Sequence, residues 1–188
     1  TGAGDVAEGC LIVDRTTELW FEAECAGIGE SWNTGLHDDA SNQAFAGALT
    51  GTQLIDAPSE ADTDQIRFTF TVSEETDYTV WGRVLTALDE DNSFWVKMDD
   101  SEWTLWEDIP VDSYWHWDDV HGTNTADAVS YELTAGEHTL TVCLREDGAL
   151  LDKILIANTG LTPEGYGGTA EACSIVGLNR VLREEGLQ

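Results

Sequence analysis

Residues Ser93 to Val120, SFWVKMDDSEWTLWEDIPVDSYWHWDDV, hold five of the chain's eight tryptophans, eight Asp and Glu residues and a single lysine. A flat indole left at a surface suits the apolar face of a pyranose ring, whose C–H groups meet the π-cloud. Carboxylates beside it accept hydrogen bonds from sugar hydroxyls, and glycan sites need both elements together. In SFWVKM, Phe94, Val96 and Met98 share the face that burial claims, so Trp95 and Lys97 stand on the other. Trp115 and Trp117 are in phase with each other, with His116 opposed, whereas Trp103 and Trp106 lie three apart in a stretch of no clear period. The sequence therefore offers Trp95, Trp103, Trp115 and Trp117 as sugar platforms.

Catalysis is less well supplied. A small β-sandwich glycoside hydrolase needs two carboxyl groups roughly 5–9 Å apart, and the acids flanking Trp103 and Trp106, Glu102 and Glu107, fall on opposite faces. There is no GxSxG and no HExxH, and His37, His116, His121 and His138 lack metal-ligand spacing. His138 falls on an apolar strand face and reads as a core residue. A polysaccharide lyase wants cations to neutralise a uronate, and basic residues are scarce. A hydrolase or lyase, and an adhesion module making protein contacts, are the alternatives to a binding module.

The elements that must position these residues are strands. QIRFTFTV alternates without a break, with Ile66, Phe68, Phe70 and Val72 on one face, and EHTLTVCLR sets His138, Leu140, Val142 and Leu144 on one side. LWFEAEC, DYTVWGRVL, SFWVKMD, VSYEL and LDKILIAN read as further strands, separated by turn signals such as DEDN, TAGEH and EDG. Short alternating strands with regular turns predict an all-β sandwich or barrel. The tail SIVGLNRVLREEG predicts a short amphipathic helix carrying Ile175, Leu178, Val181 and Leu182, after a Gly-rich linker or wrap. This divides the chain into an extension over 1–17, a sandwich over 18–163, and the wrap and helical tail over 164–188.

The chain of 188 residues carries 8 Lys+Arg against 37 Asp+Glu, a formal charge of −29. Such a field repels phosphate backbones and anionic lipid, so nucleic acid and membrane insertion are excluded as expectations. It suits a chain that binds divalent cations, and 41% hydrophobic residues speak against disorder. No run of 18 apolar residues exists, and the first residues lack the pattern of a signal peptide. Cys10, Cys25, Cys143 and Cys173 include no CxxC pair, so two disulfides and a secreted setting are expected rather than zinc. Of the three connectivities, Cys10–Cys173 with Cys25–Cys143 is preferred.

LWFEAEC, ASNQAFAG, YTVWGRV and AGEHTLTVCLREDGALLDKILIANTG together resemble family 6 and family 35 carbohydrate-binding modules, over roughly Leu19 to Pro163. The resemblance implies a jelly-roll β-sandwich of two antiparallel sheets, often attached to bacterial polysaccharide-degrading enzymes. It implies a structural Ca²⁺ held by Glu22, Glu24 and Asp152, with Asn42 as a further donor. Glu22 and Glu24, two apart, would share one strand face, and calcium wants six to eight hard oxygens. It also implies a glycan cleft at the loop end. There the platform ring is Trp115 or Trp117, the opposing ring Trp32, and the polar contacts come from Arg145, Glu146 and Asp147, with Asp91 and Asn92 on a loop reaching the same end. The family more often shows Asn where REDG stands. A neutral plant or algal polysaccharide is the expected partner, with other modules of a parent enzyme beside it.

Overall fold

The structure is a computed structural model that describes residues 16–48, 55–123, 125, 127–171 and 173. Its first six strands are β1 (Glu18–Glu22), β2 (Gly27–Ile28), β3 (Trp32–Leu36), β4 (Ala44–Ala48), β5 (Gln65–Val72) and β6 (Thr76–Thr86). The remaining six are β7 (Phe94–Met98), β8 (Thr104–Trp106), β9 (His116–Asp119), β10 (Tyr131–Leu133), β11 (Gly136–Cys143) and β12 (Ala149–Ala157). They form two antiparallel sheets, as expected. One has seven strands along β10-β6-β12-β4-β3, with β1 on β12 and β9 on β6; the other has five in the order β2-β5-β11-β7-β8.

Alternation fixes what lies between the sheets. Ile66, Phe68, Phe70 and Val72 from β5, Leu140 and Val142 from β11, and Phe94, Val96 and Met98 from β7 are all buried in one cluster. Opposite them lie Tyr78, Val80 and Val84 of β6 and Leu151, Ile154 and Ile156 of β12. Burying a large side chain of this kind stabilises the fold by roughly 1.5–3 kcal/mol. Trp106 is fully buried here because β6 carries Gly82 beneath it: a Cβ at that position would lie 2.5 Å from the ring. His138 is buried as read, but it is held by polar contacts, Nδ1 to Asp99 Oδ2 at 2.6 Å and Nε2 to Thr134 O at 2.7 Å.

Two segments cover the outer faces. Residues 55–64 cross the five-stranded sheet, with Ser59 beside the Cys143 sulfur and Asp64 held by Ser31 and Ser59 at 2.6 Å each. A strap over 160–171 lies on the seven-stranded sheet, where Gly165 O accepts from Arg83 and Trp117, and is followed by a Cys25–Cys173 disulfide.

That disulfide corrects the preferred pairing. Cys143 is on β11 in the five-stranded sheet and is a buried free thiol, pushed up to about 11 by burial. Cys25 lies in a turn at the end of β1, in the other sheet, and meets the strap instead. Cys10 and the tail helix lie outside the described residues. No helix among the described residues is long and apolar enough to cross a membrane.

Candidate functional sites

The first site grows from the end of β1. Glu22 ends the strand, and Ala23–Cys25 forms a 3₁₀ turn, so Glu24 does not share a strand face with Glu22 as expected. The turn brings the two together all the same, with Asp152 as the third carboxylate, and all three are buried. Asp152 comes from a β-bulge between Leu151 and Lys153, where alternation breaks and consecutive side chains both reach this site.

Each carboxylate uses one oxygen and leaves the other bare. Glu22 Oε1 accepts from Ser41 Oγ at 2.9 Å and meets Lys153 Nζ at 3.1 Å. Glu24 Oε1 accepts from Asn42 Nδ2 at 2.8 Å, and Asp152 Oδ2 is paired with Arg83. Glu22 Oε2, Glu24 Oε2 and Asp152 Oδ1 are buried and accept no hydrogen bond among the described residues. Buried polar oxygens left bare are costly. Burial pushes Glu24 up to about 7 and Asp152 up to about 6, with neighbouring carboxylates adding to both. Three hard oxygens from three carboxylates suit a calcium ion, which backbone carbonyls and water would complete. Asn42 donates its amide nitrogen to Glu24 and so steadies that carboxylate; its φ of 51° is left-handed, which Asn tolerates. Glu24 also lies within 4.8 Å of both sulfurs of the disulfide, which as a bonded pair are no thiolate ligands.

The second site lies where β6, β7, β11 and β12 meet their loops. Glu146 is buried and accepts from Ser93 Oγ at 2.6 Å and Arg145 Nη1 at 2.5 Å, and Arg145 also reaches Ser93. Asp91 sits against Gly148 and beside Asp147; burial and then Asp147 push its carboxyl up. Asn92 O accepts from Ile109 N at 3.2 Å, and Thr86 O accepts from Asp112 N at 2.9 Å, so the segment after β8 is stitched to the same end. Asp91, Asn92, Arg145, Glu146 and Asp147 therefore lie at one end of the sandwich.

The tryptophans are not brought there as expected. Trp32 is 5% exposed, stacked on Phe94 at 6.2 Å, and gives its Nε1–H to Asp64 O; it is core, not an opposing ring. Trp115 is 6% exposed, between Phe45 and His37. Both corrections have one cause: these positions face other strands and loops that a local period cannot see. Trp95 is half-buried with its Nε1–H on Ile55 O at 3.1 Å. Trp103 has Lys97 over one face at 4.4 Å and Glu60 on its Nε1 at 2.7 Å. Trp117 donates to Gly165 O of the strap at 3.1 Å and meets Trp20 edge-on at 5.7 Å. The open aromatic of this stretch is Tyr114, 64% exposed, with Leu88 and Val111 also exposed. Tyr114 was legible as an aromatic in the acidic stretch, but the indoles drew the reading; Ser93, Lys153 and Arg83 carried no local signal.

Sheet order and register define a β-sandwich of two antiparallel sheets. Residues 42–171, more than half of the chain, match the glycosyl hydrolase family 115 C-terminal domain, and the chain belongs to that family. No curated protein matches it. Among solved structures it is similar to a Podospora anserina GH26-CBM35 β-(1,4)-mannanase, at 17% identity and a TM-score of 0.56 over 78% of this chain and 29% of that one. It is similar to an exo-β-1,3-galactanase from Phanerochaete chrysosporium, at 16% identity and a TM-score of 0.52 over 74% of this chain and 29% of that one. The C-terminal CBM6 of LamC, a marine laminarinase from Zobellia galactanivorans, matches at 15% identity and a TM-score of 0.52, over 76% of this chain and 100% of that one. The fold is thus that of family 6 and family 35 modules. The chain spans less than a third of the mannanase and the galactanase.

Proposed function

We propose that this chain is a non-catalytic carbohydrate-binding module, secreted and calcium-stabilised, that holds a polysaccharide-degrading enzyme near a neutral polysaccharide. The observation that carries the reading is the loop-end cluster of Ser93, Arg145 and Glu146, with Asp91, Asn92 and Asp147 around it. Its buried carboxylate is already oriented by two donors, so acceptors for sugar hydroxyls stand in place before a ligand arrives. Tyr114 supplies an open ring in the stitched segment, and its hydroxyl is held by Asp112. The net charge disfavours uronate chains. Calcium on Glu22, Glu24 and Asp152 would neutralise three carboxylates and lock β1 to β12, a structural role rather than a chemical one. The disulfide supports an oxidising compartment.

Affinity electrophoresis in gels of neutral mannans, galactans, β-glucans and xylans, with alginate as the anionic control, tests the reading. Retardation in at least one neutral gel and none with alginate is expected, with no reducing ends released. Release of reducing ends by the purified chain, or free migration in every gel, overturns it.

A further inference from the structure

The strap touches the cation site at both of its ends. At one end, Cys173 is bonded to Cys25, the residue after Glu24 in the 3₁₀ turn, and Cys173 N also lies 3.0 Å from Cys25 Sγ. At the other, Gly165 O accepts from Arg83 Nε at 2.9 Å. The same guanidinium holds Asp152 and Asp39 O, and Tyr166 lies over it at 4.8 Å. Between these ends, Gly167 has φ +68° and lies so close to Trp20 that a Cβ would come within 2.4 Å of the ring. Trp20 in turn faces the Lys153 ammonium at 6.0 Å. Cross-strand register lines these groups up: Glu22, Lys153, Arg83 and Trp117 form one row of the outer face.

We infer that this disulfide-clamped strap is the positioning element of the cation site, with Cys25 and Arg83 as positioning residues, so that cation binding and the closed strap stabilise each other. The inference rests on the calcium reading above. Three buried carboxylates repel one another, and the cheapest relief is for the turn Ala23–Cys25 to swing Glu24 toward water. The disulfide forbids that swing, and Gly165 holds the arginine that aims Asp152. With the strap open, an ion must first re-order these ligands, which lowers its apparent affinity. Linkage then requires the converse: bound calcium must hold the strap closed by the same factor.

Calorimetric titration of the full chain with calcium chloride, before and after a dithiol opens Cys25–Cys173, reads this directly. In that step the S–S bond takes two electrons and two protons from the dithiol, which leaves as its cyclic disulfide. The oxidised chain should bind calcium roughly tenfold more tightly than the opened one, and excess calcium should lower the equilibrium constant for reduction of Cys25–Cys173 by the dithiol, read by mass spectrometry of alkylated thiols at a fixed ratio of dithiol to its disulfide, by the same factor. Arg83→Lys keeps a charge beside Asp152 but lacks the Nε–H for Gly165, and should lose affinity severalfold without changing the fold. If the Cys25→Ser/Cys173→Ser chain does not fold, the reduction equilibrium of the native chain decides. Equal calcium affinity in the two states, or a reduction equilibrium indifferent to calcium, overturns the clasp and leaves the cation site standing. An oxidised chain that takes up no calcium overturns both.

Discussion

Two carboxylate clusters organise this molecule, and they differ in how their oxygens are used. At the loop end, both oxygens of Glu146 accept hydrogen bonds, one from Ser93 and one from Arg145. At the base of β1 and β12, three carboxylates each keep one oxygen bare. An acid already held by protein donors can exchange one of them for a soluble ligand, while bare buried oxygens ask for a cation. The first cluster should govern ligand affinity and the second should govern stability.

The sharpest break of that contrast is at Asp152. Its replacement by Asn removes a cation ligand and also leaves Arg83 buried without its charge partner, a loss of about 3–5 kcal/mol. Removing calcium from the wild-type chain with EDTA keeps the ion pairs and should cost about 4 kcal/mol at a thousandfold excess over Kd. For a chain of this size that lowers Tm by roughly 10 °C. Scanning calorimetry should show EDTA shifting the wild type but not the Asp152→Asn chain, and a shift of equal size in both would end the assignment.

The pH dependence separates the clusters next. Glu24 is pushed up to about 7 from an ordinary value of 4.5 and Asp152 up to about 6 from 3.8, so without calcium the folded state holds its protons more tightly than the unfolded chain. The contribution of these two carboxyls in EDTA is then fully present at low pH and is lost as pH rises from about 4 to about 7. Calcium, which favours the ionised forms, should flatten that fall. His138 gives a control: Asp99 and then Thr134 O raise it, because an acceptor at each ring nitrogen calls for the doubly protonated ring. Its contribution is full below its unfolded value near 6.5 and is lost as pH rises through the raised folded value, whether or not calcium is present. Urea titrations across pH 4.5 to 8, with calcium and with EDTA, should show one slope that vanishes with the ion and one that remains.

How far the sequence announced this depends on how local each feature is. The core faces of β5 and β11 could be read from alternation, because a residue two positions on returns to the same side. Glu22 and Asp152 were reachable through the family resemblance. Lys153 was not, since strand alternation sends it away from Asp152 and only the bulge undoes that. The cysteine pairing needed the path of the strap, which brings Cys173 to Cys25, while Cys143 stays buried on β11. The outward face of Trp95 could be read from the alternation of β7, but the partners of the indoles could not. Residues 55–64 and the strap arrive from distant parts of the chain, and they supply the partners that close over Trp95, Trp103 and Trp117.

At the loop end, Glu146→Gln keeps the shape and removes the charge that Ser93 and Arg145 address. A hydrogen bond to a charged group contributes about 1.5–3 kcal/mol, so affinity for the retarding polysaccharide should fall roughly ten- to hundredfold. Calcium affinity and the EDTA shift should stay as in the wild type. If Glu146→Gln instead alters calcium binding and leaves retardation intact, the two clusters have been assigned the wrong way round.

The smallest expected effect concerns which aromatic meets the sugar. Tyr114 is open and its hydroxyl is steadied by Asp112, so the ring is presented without first having to be ordered. Trp103, the better stacking surface by size, already has Lys97 on one face and its N–H committed to Glu60. A sugar would have to displace the ammonium to lie on that face. Tyr114→Ala should therefore weaken retardation about threefold to tenfold, Tyr114→Phe less, and Trp103→Ala hardly at all. Retardation lost in Trp103→Ala and kept in Tyr114→Ala would move the sugar from the loop end to the outer face of the five-stranded sheet, and with it the division of labour between the two acid clusters.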